Sequence, residues 1–345
     1  MGDLFSLVRA SRLASLAVVG TAKGVGKTLV VDHLVLRAQE EGVPLGLLAG
    51  GREGAPDDRP EVYAPRGSLV ATAEASLRQG EAHVEVLEVL PAAGPLGHLV
   101  VARVREPGRL GLAGPPTAAG LGLAVTRLRA HGAALVLVDG SVDRVASAAP
   151  LVTEGTVVAT GAAVGGGVGE VAERTRLLLT FLGLPGVADQ RLREAAVRAI
   201  HKWRVAAVDE DYRPFGLNLR TALGSGGVIA GAVEEGVKAL VIAGALVDGV
   251  VEALAGMSRG PGRLKVIVPD GTHVFVGSRA WARFGRAGGK VAVLHPIRVV
   301  AVTLNPVGPD GLTLDPEELV REVARVAQPL PAFDLVLGRA LNLSP

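Results

Sequence analysis

The run LAVVGTAKGVGKTLVVDH, Leu16 to His33, carries the residue types and spacing best suited to chemistry on a phosphate. Leu16 to Val19 predicts a short buried strand. Gly20, Gly24 and Gly26 then predict a loop, and Lys27-Thr28 opens a segment that predicts a helix over 28–41. Glycines allow a backbone to curl so that successive N–H groups face an anion. The helix adds its own unpaired first-turn N–H groups and the positive end of its dipole. In that geometry Lys27 reaches the β- and γ-phosphates and the Thr28 hydroxyl ligates Mg²⁺. The expected phosphate-binding set is Gly20, Thr21, Lys23, Gly24, Val25, Gly26, Lys27 and Thr28. The bland alternative is a glycine-rich turn with a solvated lysine. It has to treat the agreement of strand, loop, Gly-Lys-Thr and helix as accidental.

A second constellation follows from Ala134 to Val138, a buried strand running into Asp139-Gly140. An aspartate at the carboxyl end of such a strand can hold a water on the Mg²⁺ bound by Thr28, so Asp139 is expected as catalytic and metal-binding. An ordinary strand-to-loop aspartate is the rival. The loop GGREGAPDD after the second predicted strand supplies Glu53, Asp57 and Asp58. Of these, Glu53 and Asp58 are expected to act on the metal or the attacking water; a solvated loop charge is the alternative for each. Arg52 and Arg144 are candidates for phosphate oxygens or for surface ion pairs. The seven histidines show no ligand spacing. In Asp270-Gly271-Thr272-His273 the histidine falls one position too late for a corrinoid-binding D-x-H-x-x-G.

These groups must be positioned by the rest of a 345-residue chain, long enough for one large or two ordinary domains. Hydrophobic residues make up 49% and charged residues 20%, which excludes a disordered chain. No basic stretch interleaved with aromatics indicates nucleic acid, and there is no cysteine for disulfides, thiolate catalysis or Cys-ligated metal. No apolar run is long enough to span a bilayer, and the N-terminus has no cleavable apolar core, so the expectation is cytoplasmic. Strands at 45–49, 61–63, 68–72, 83–90, 99–105, 134–138 and 157–160 alternate with helices at 118–131 and 170–182. That pattern predicts an α/β fold with a mostly parallel sheet flanked by helices, as in the P-loop NTPases. A basic amphipathic helix within 184–210 suggests a boundary: a nucleotide-binding domain over 1–205, then a second α/β region over 206–345. The latter has strands at 239–242, 265–268, 291–294, 298–304 and 333–336.

The loop's first glycine is Gly20, one residue earlier than G-x-x-x-x-G-K-[ST] demands. Its register is similar to that of dethiobiotin synthetase-type ATPases. Taken together, the order of motifs resembles the phosphate-loop subunit of the lysine 5,6-aminomutase reactivase. The shared features are G-x-A-K-x-x-G-K-T from Gly20 and the Gly51-Arg52-Glu53-Gly54 segment, with glutamate for aspartate. They continue through Leu137 to Val164, with Ser141 and Val142 for Ala-Leu, and the GALVDGVVEAL segment. The last are Asn305-Pro306-Val307-Gly308-Pro309 and PAFDL near the end. The likeness runs over about 16–336 and departs at Glu53, Ser141 and Gly308. It implies ATP and Mg²⁺ as cofactors, hydrolysis that drives a conformational switch, and cofactor exchange on an adenosylcobalamin-dependent aminomutase. It also implies a second ATPase subunit as partner. Two other readings stay open: a dethiobiotin synthetase-like ligase or small-molecule kinase, and a switch ATPase that forms a homodimer across bound nucleotide. No N-K-x-D-type segment separates ATP from GTP.

Overall fold

The computed structural model describes residues 3–50, 61–94, 96–140, 145–233, 236–257, 262, 264–309 and 311–341. The chain groups into two compact units, Met1–Leu179 with Arg298–Pro345, and Thr180–Ile297. This corrects the division at 205/206. The second unit is inserted into the first, and residues 298–345 belong with the N-terminal part. An apolar run such as 298–304 predicts a buried parallel strand, but its composition cannot say which sheet it joins.

In chain order the first unit contains α1 (Leu4–Ala10), β1 (Ser15–Gly20), α2 (Lys27–Glu40), β2 (Leu45–Ala49), β3 (Glu61–Ala64) and β4 (Leu69–Ala73). It continues with α3 (Glu74–Leu77), β5 (His83–Gly94), β6 (Gly97–Glu106), β7 (Gly108–Gly111), α4 (Ala118–Ala130), β8 (Leu135–Asp139), β9 (Gly155–Gly161) and α5 (Val168–Leu182), which from Thr180 on belongs to the second unit. The inserted unit holds α6 (Gln190–Lys202), β10 (Val205–Asp209), β11 (Pro214–Gly216), α7 (Gly226–Ala232), β12 (Val237–Ile242) and β13 (Leu246–Val247). Then come α8 (Asp248–Ala255), β14 (Lys265–Val268), β15 (Val274–Phe275), α9 (Ser278–Arg286) and β16 (Lys290–Val293). The chain returns through β17 (Val299–Asn305), α10 (Pro316–Ala327), β18 (Ala332–Asp334) and β19 (Arg339–Leu341).

The first unit is built on a ten-stranded sheet in the order β19-β18-β17-β9-β1-β8-β2-β4-β6-β5. From β18 to β4 every neighbouring pair is parallel. The edges, β19 on one side and β6-β5 on the other, are antiparallel. Alternation along the strands assigns the two faces. Leu135 and Leu137 of β8 pack with Val30, Val31 and Leu34 of α2, whereas Val136 and Val138 pack with Leu121, Ala124 and Leu128 of α4. The sheet is therefore covered on both sides, as expected. Asp3 caps α1 by accepting the Ser6 N–H at 2.7 Å.

The inserted unit has its own five-stranded sheet, β11-β10-β12-β14-β16, with β12, β14 and β16 parallel and β10 antiparallel to both its neighbours. Leu192, Ala195, Ala196 and Ala199 of α6 pack on Ala206, Val208, Ala239 and Val241. None of the helices among the described residues is long and apolar enough to cross a membrane.

Candidate functional site

β1 ends at Gly20, and the chain turns through Thr21–Gly26 into α2 at the carboxyl edge of the parallel strands. Gly24 and Gly26 have φ of +80° and +90°, left-handed values that only glycine adopts without strain. Gly26 is the N-cap of α2 and offers no capping side chain. First-turn N–H groups have no acceptor within their own helix, so such an end suits an anion. Lys27 is the first helical residue; its stem is buried and its ammonium folds back over the loop, 3.4 Å from the Ala22 carbonyl oxygen. Thr28 is half-buried, while Lys23 and Gly24 are exposed.

The early glycine has a steric reason. A Cβ on Gly20 would lie 2.8 Å from Cγ2 of Val25 and 3.1 Å from Cδ of Lys27. Val25 is buried beneath the loop, so the close approach falls at residue 20 and Thr21 takes the place of the usual glycine. Thr21 in turn ties the loop to β9. Its N–H donates to the Ala159 carbonyl at 3.0 Å, and its hydroxyl donates to Thr160 Oγ1 at 2.9 Å. Thr160 Oγ1 lies 2.8 Å from the hydroxyl of the fully buried Thr175.

Asp139 is the last residue of β8, in register with Val18 of β1 and Ala49 of β2. It shares the parity of Leu135 and Leu137, which directs it to the α2 face where Lys27 lies. It is 4% exposed, and its Oδ1 has no hydrogen-bond partner among the described residues. Burial pushes its pKa up to about 7; the Lys27 ammonium pulls it down, and the nearby Asp32 carboxylate pushes it further up. A lysine, a threonine hydroxyl and a buried, unpartnered carboxylate oxygen on one side of a glycine loop form a donor set that suits a phosphate and a hard divalent cation.

Glu53, Asp57, Asp58, Arg52 and Arg144 lie outside the described residues. Two neighbours of the loop were missed by sequence reasoning. Asp32 carried no motif signal at all. Asn305 stood out only as part of the Asn305–Pro309 motif of the resemblance, yet that connection lies against the loop: a Cβ on Gly26 would be 3.2 Å from the Asn305 Cβ, and one on Gly24 would be 3.6 Å from Pro309. Asn305 Oδ1 accepts the Val307 N–H at 3.1 Å, which fixes its side chain. No known family, characterised protein or solved structure matches the chain.

Proposed function

We propose that the first unit binds a nucleoside triphosphate with Mg²⁺ and hydrolyses it. The observation that carries this reading is the convergence of Lys27 and the buried, unpartnered Asp139 on the α2 side of the Gly20–Thr28 loop. In this account the loop and first-turn N–H groups cradle the β-phosphate. The Lys27 ammonium leaves the Ala22 carbonyl for the β- and γ-phosphate oxygens, where it meets the charge that develops during transfer. When bound, Mg²⁺ would supply positive charge at the phosphates. Thr28 offers its hydroxyl to that cation and Asp139 orients one of its waters, an ion–water contact that suits a carboxylate kept ionised by the cation. Thr21 and Thr160 hold the loop in register throughout.

The sequence resemblance supports a more specific role: reactivation of an adenosylcobalamin-dependent aminomutase, in which hydrolysis drives the exchange of damaged for intact cofactor alongside a second ATPase subunit. The Arg52–Asp58 loop would then act as the switch, with Glu53 or Asp58 meeting the γ-phosphate end. The test measures phosphate release from ATP with and without an inactivated lysine 5,6-aminomutase. Slow basal release that the mutase stimulates, together with recovered mutase activity on adding fresh cofactor, is expected. Rapid turnover that instead phosphorylates or cyclises a small molecule would overturn the reactivation reading in favour of the ligase or kinase.

A further inference from the structure

Lys27, Thr28 and Asp139 serve the nucleotide and its cation, and Asp32 stands beside them with no role yet. Asp32 follows Thr28 by four residues in α2, so the two side chains share a helix face one turn apart. Its Oδ1 is shut off from solvent and has no hydrogen-bond partner among the described residues. Its carboxylate also accepts the backbone N–H of Tyr63 on β3, and it lies in the fields of Arg109 on β7 and of Asp139. Tyr63 and Arg109 face each other across the two-stranded β3–β7 ribbon, and β3 is the strand entered directly from residues 51–60. A buried carboxylate oxygen with no donor is costly, and here there are two, on Asp32 and on Asp139, with Asp139 in the fields of both Asp32 and Lys27.

Resting on the magnesium–nucleotide reading, we propose that Asp32 is a positioning residue of the cation site. Its Oδ1 accepts a hydrogen bond from a water in the cation's hydration shell, while the same carboxylate holds the Tyr63 N–H. Mg²⁺ sheds water reluctantly and keeps several waters when bound, so a carboxylate one helical turn beyond the ligating hydroxyl fits its outer shell. Asp32 thereby ties the cation to the ribbon that follows the 51–60 segment.

The test uses Mn²⁺ as probe, read by electron paramagnetic resonance with a non-hydrolysable ATP analogue on the full chain. Asp32→Asn keeps an oxygen for the Tyr63 N–H and nearly the same volume, but drops the charge. It is expected to weaken Mn²⁺ binding about tenfold, while analogue affinity in EDTA stays unchanged. Asp32→Glu keeps the charge and is expected to bind Mn²⁺ more tightly than Asp32→Asn. If Asp32 only anchored β3, the order would reverse, with Asn harmless and the longer Glu disruptive; that result, or Asp32→Asn binding Mn²⁺ like wild type, overturns the proposal. Should Asp32→Asn not fold, Asp32→Glu decides alone: affinity within about threefold of wild type supports the proposal, and a larger loss in a folded variant overturns it. A wild-type protein that binds no Mn²⁺–analogue complex overturns the nucleotide reading and this inference with it.

Discussion

Asp139→Asn in the metal-free protein separates a functional carboxylate from an ordinary one by its pH signature. Burial raises the folded carboxyl to about 7. The folded state thus holds this proton more tightly than the unfolded chain does. Its contribution to stability is fully present below about pH 4 and is lost progressively as pH rises to about 7. At about 1.36 kcal/mol per pH unit, the whole loss is on the order of 4 kcal/mol, of which about 2–3 kcal/mol falls between pH 5 and pH 8. The Asn variant has no such loss, and its buried amide carries a pH-independent cost of about 1–3 kcal/mol instead. Urea denaturation followed by circular dichroism, in EDTA at pH 5 and pH 8, measures the difference. The stability of the variant relative to wild type is expected to improve by about 2–3 kcal/mol from pH 5 to pH 8. The field of the Asp32 carboxylate adds to the rise in the Asp139 pKa and so is part of the signal. A wild-type-to-variant gap that does not move with pH would refute the reasoning.

Gly20→Ala is expected to cost about 1–3 kcal/mol by overpacking, because the new methyl meets the Val25 side chain at 2.8 Å; thermal melting in the presence and absence of ATP checks it, with Gly20→Ala,Val25→Ala recovering part of the loss. In the inserted unit, burial alone would raise the Asp270 carboxyl, but hydrogen bonds from His273 and Thr272 hold it below its ordinary value. The stability it gives is therefore present above about pH 4 and is lost as pH falls through the lower folded value. Both tryptophans, Trp203 and Trp281, belong to this unit, so their fluorescence should report its acid unfolding; Asp270→Asn is expected to flatten that acid limb and to cost about 1–3 kcal/mol at neutral pH.

The loop and Asp139 were legible in the sequence because their geometry is local. Strand, glycines, Gly-Lys-Thr and helix follow one another in the chain, and period two along β8 directs Asp139 to a face without any long-range knowledge. The shift to Gly20 was visible as an irregularity, but its cause, Val25 folded beneath the loop, needed coordinates. Asp32 was silent because a single acid in an amphipathic helix reads as solvated surface; only its packing beside β3 and Asp139 gives it meaning. The Thr21–Thr160–Thr175 hydroxyl cluster spans three elements and has no sequence spacing to detect. The boundary was misplaced for a similar reason. β10, at Val205–Asp209, lies inside a stretch read as a single basic helix region, and the pairing of β17 with β9 joins residues about 140 positions apart. The Asn305–Pro309 motif was visible in the sequence, but its place beside Gly24 and Gly26 follows only from that pairing.

Equilibrium binding of ATP in the presence of Mg²⁺, by isothermal titration calorimetry on wild type and Lys27→Ala, tests the central claim most directly. Lys27→Ala removes the ammonium that meets phosphate in this account and leaves the buried apolar residues of α2 in place, so the variant is expected to fold. Wild type is expected to bind one MgATP per chain. Lys27→Ala is expected to lose hydrolysis by about a hundredfold, equivalent to about 3 kcal/mol of transition-state stabilisation, and to bind measurably more weakly. No heat of binding from folded wild type, or hydrolysis by Lys27→Ala at the wild-type rate, would contradict the account.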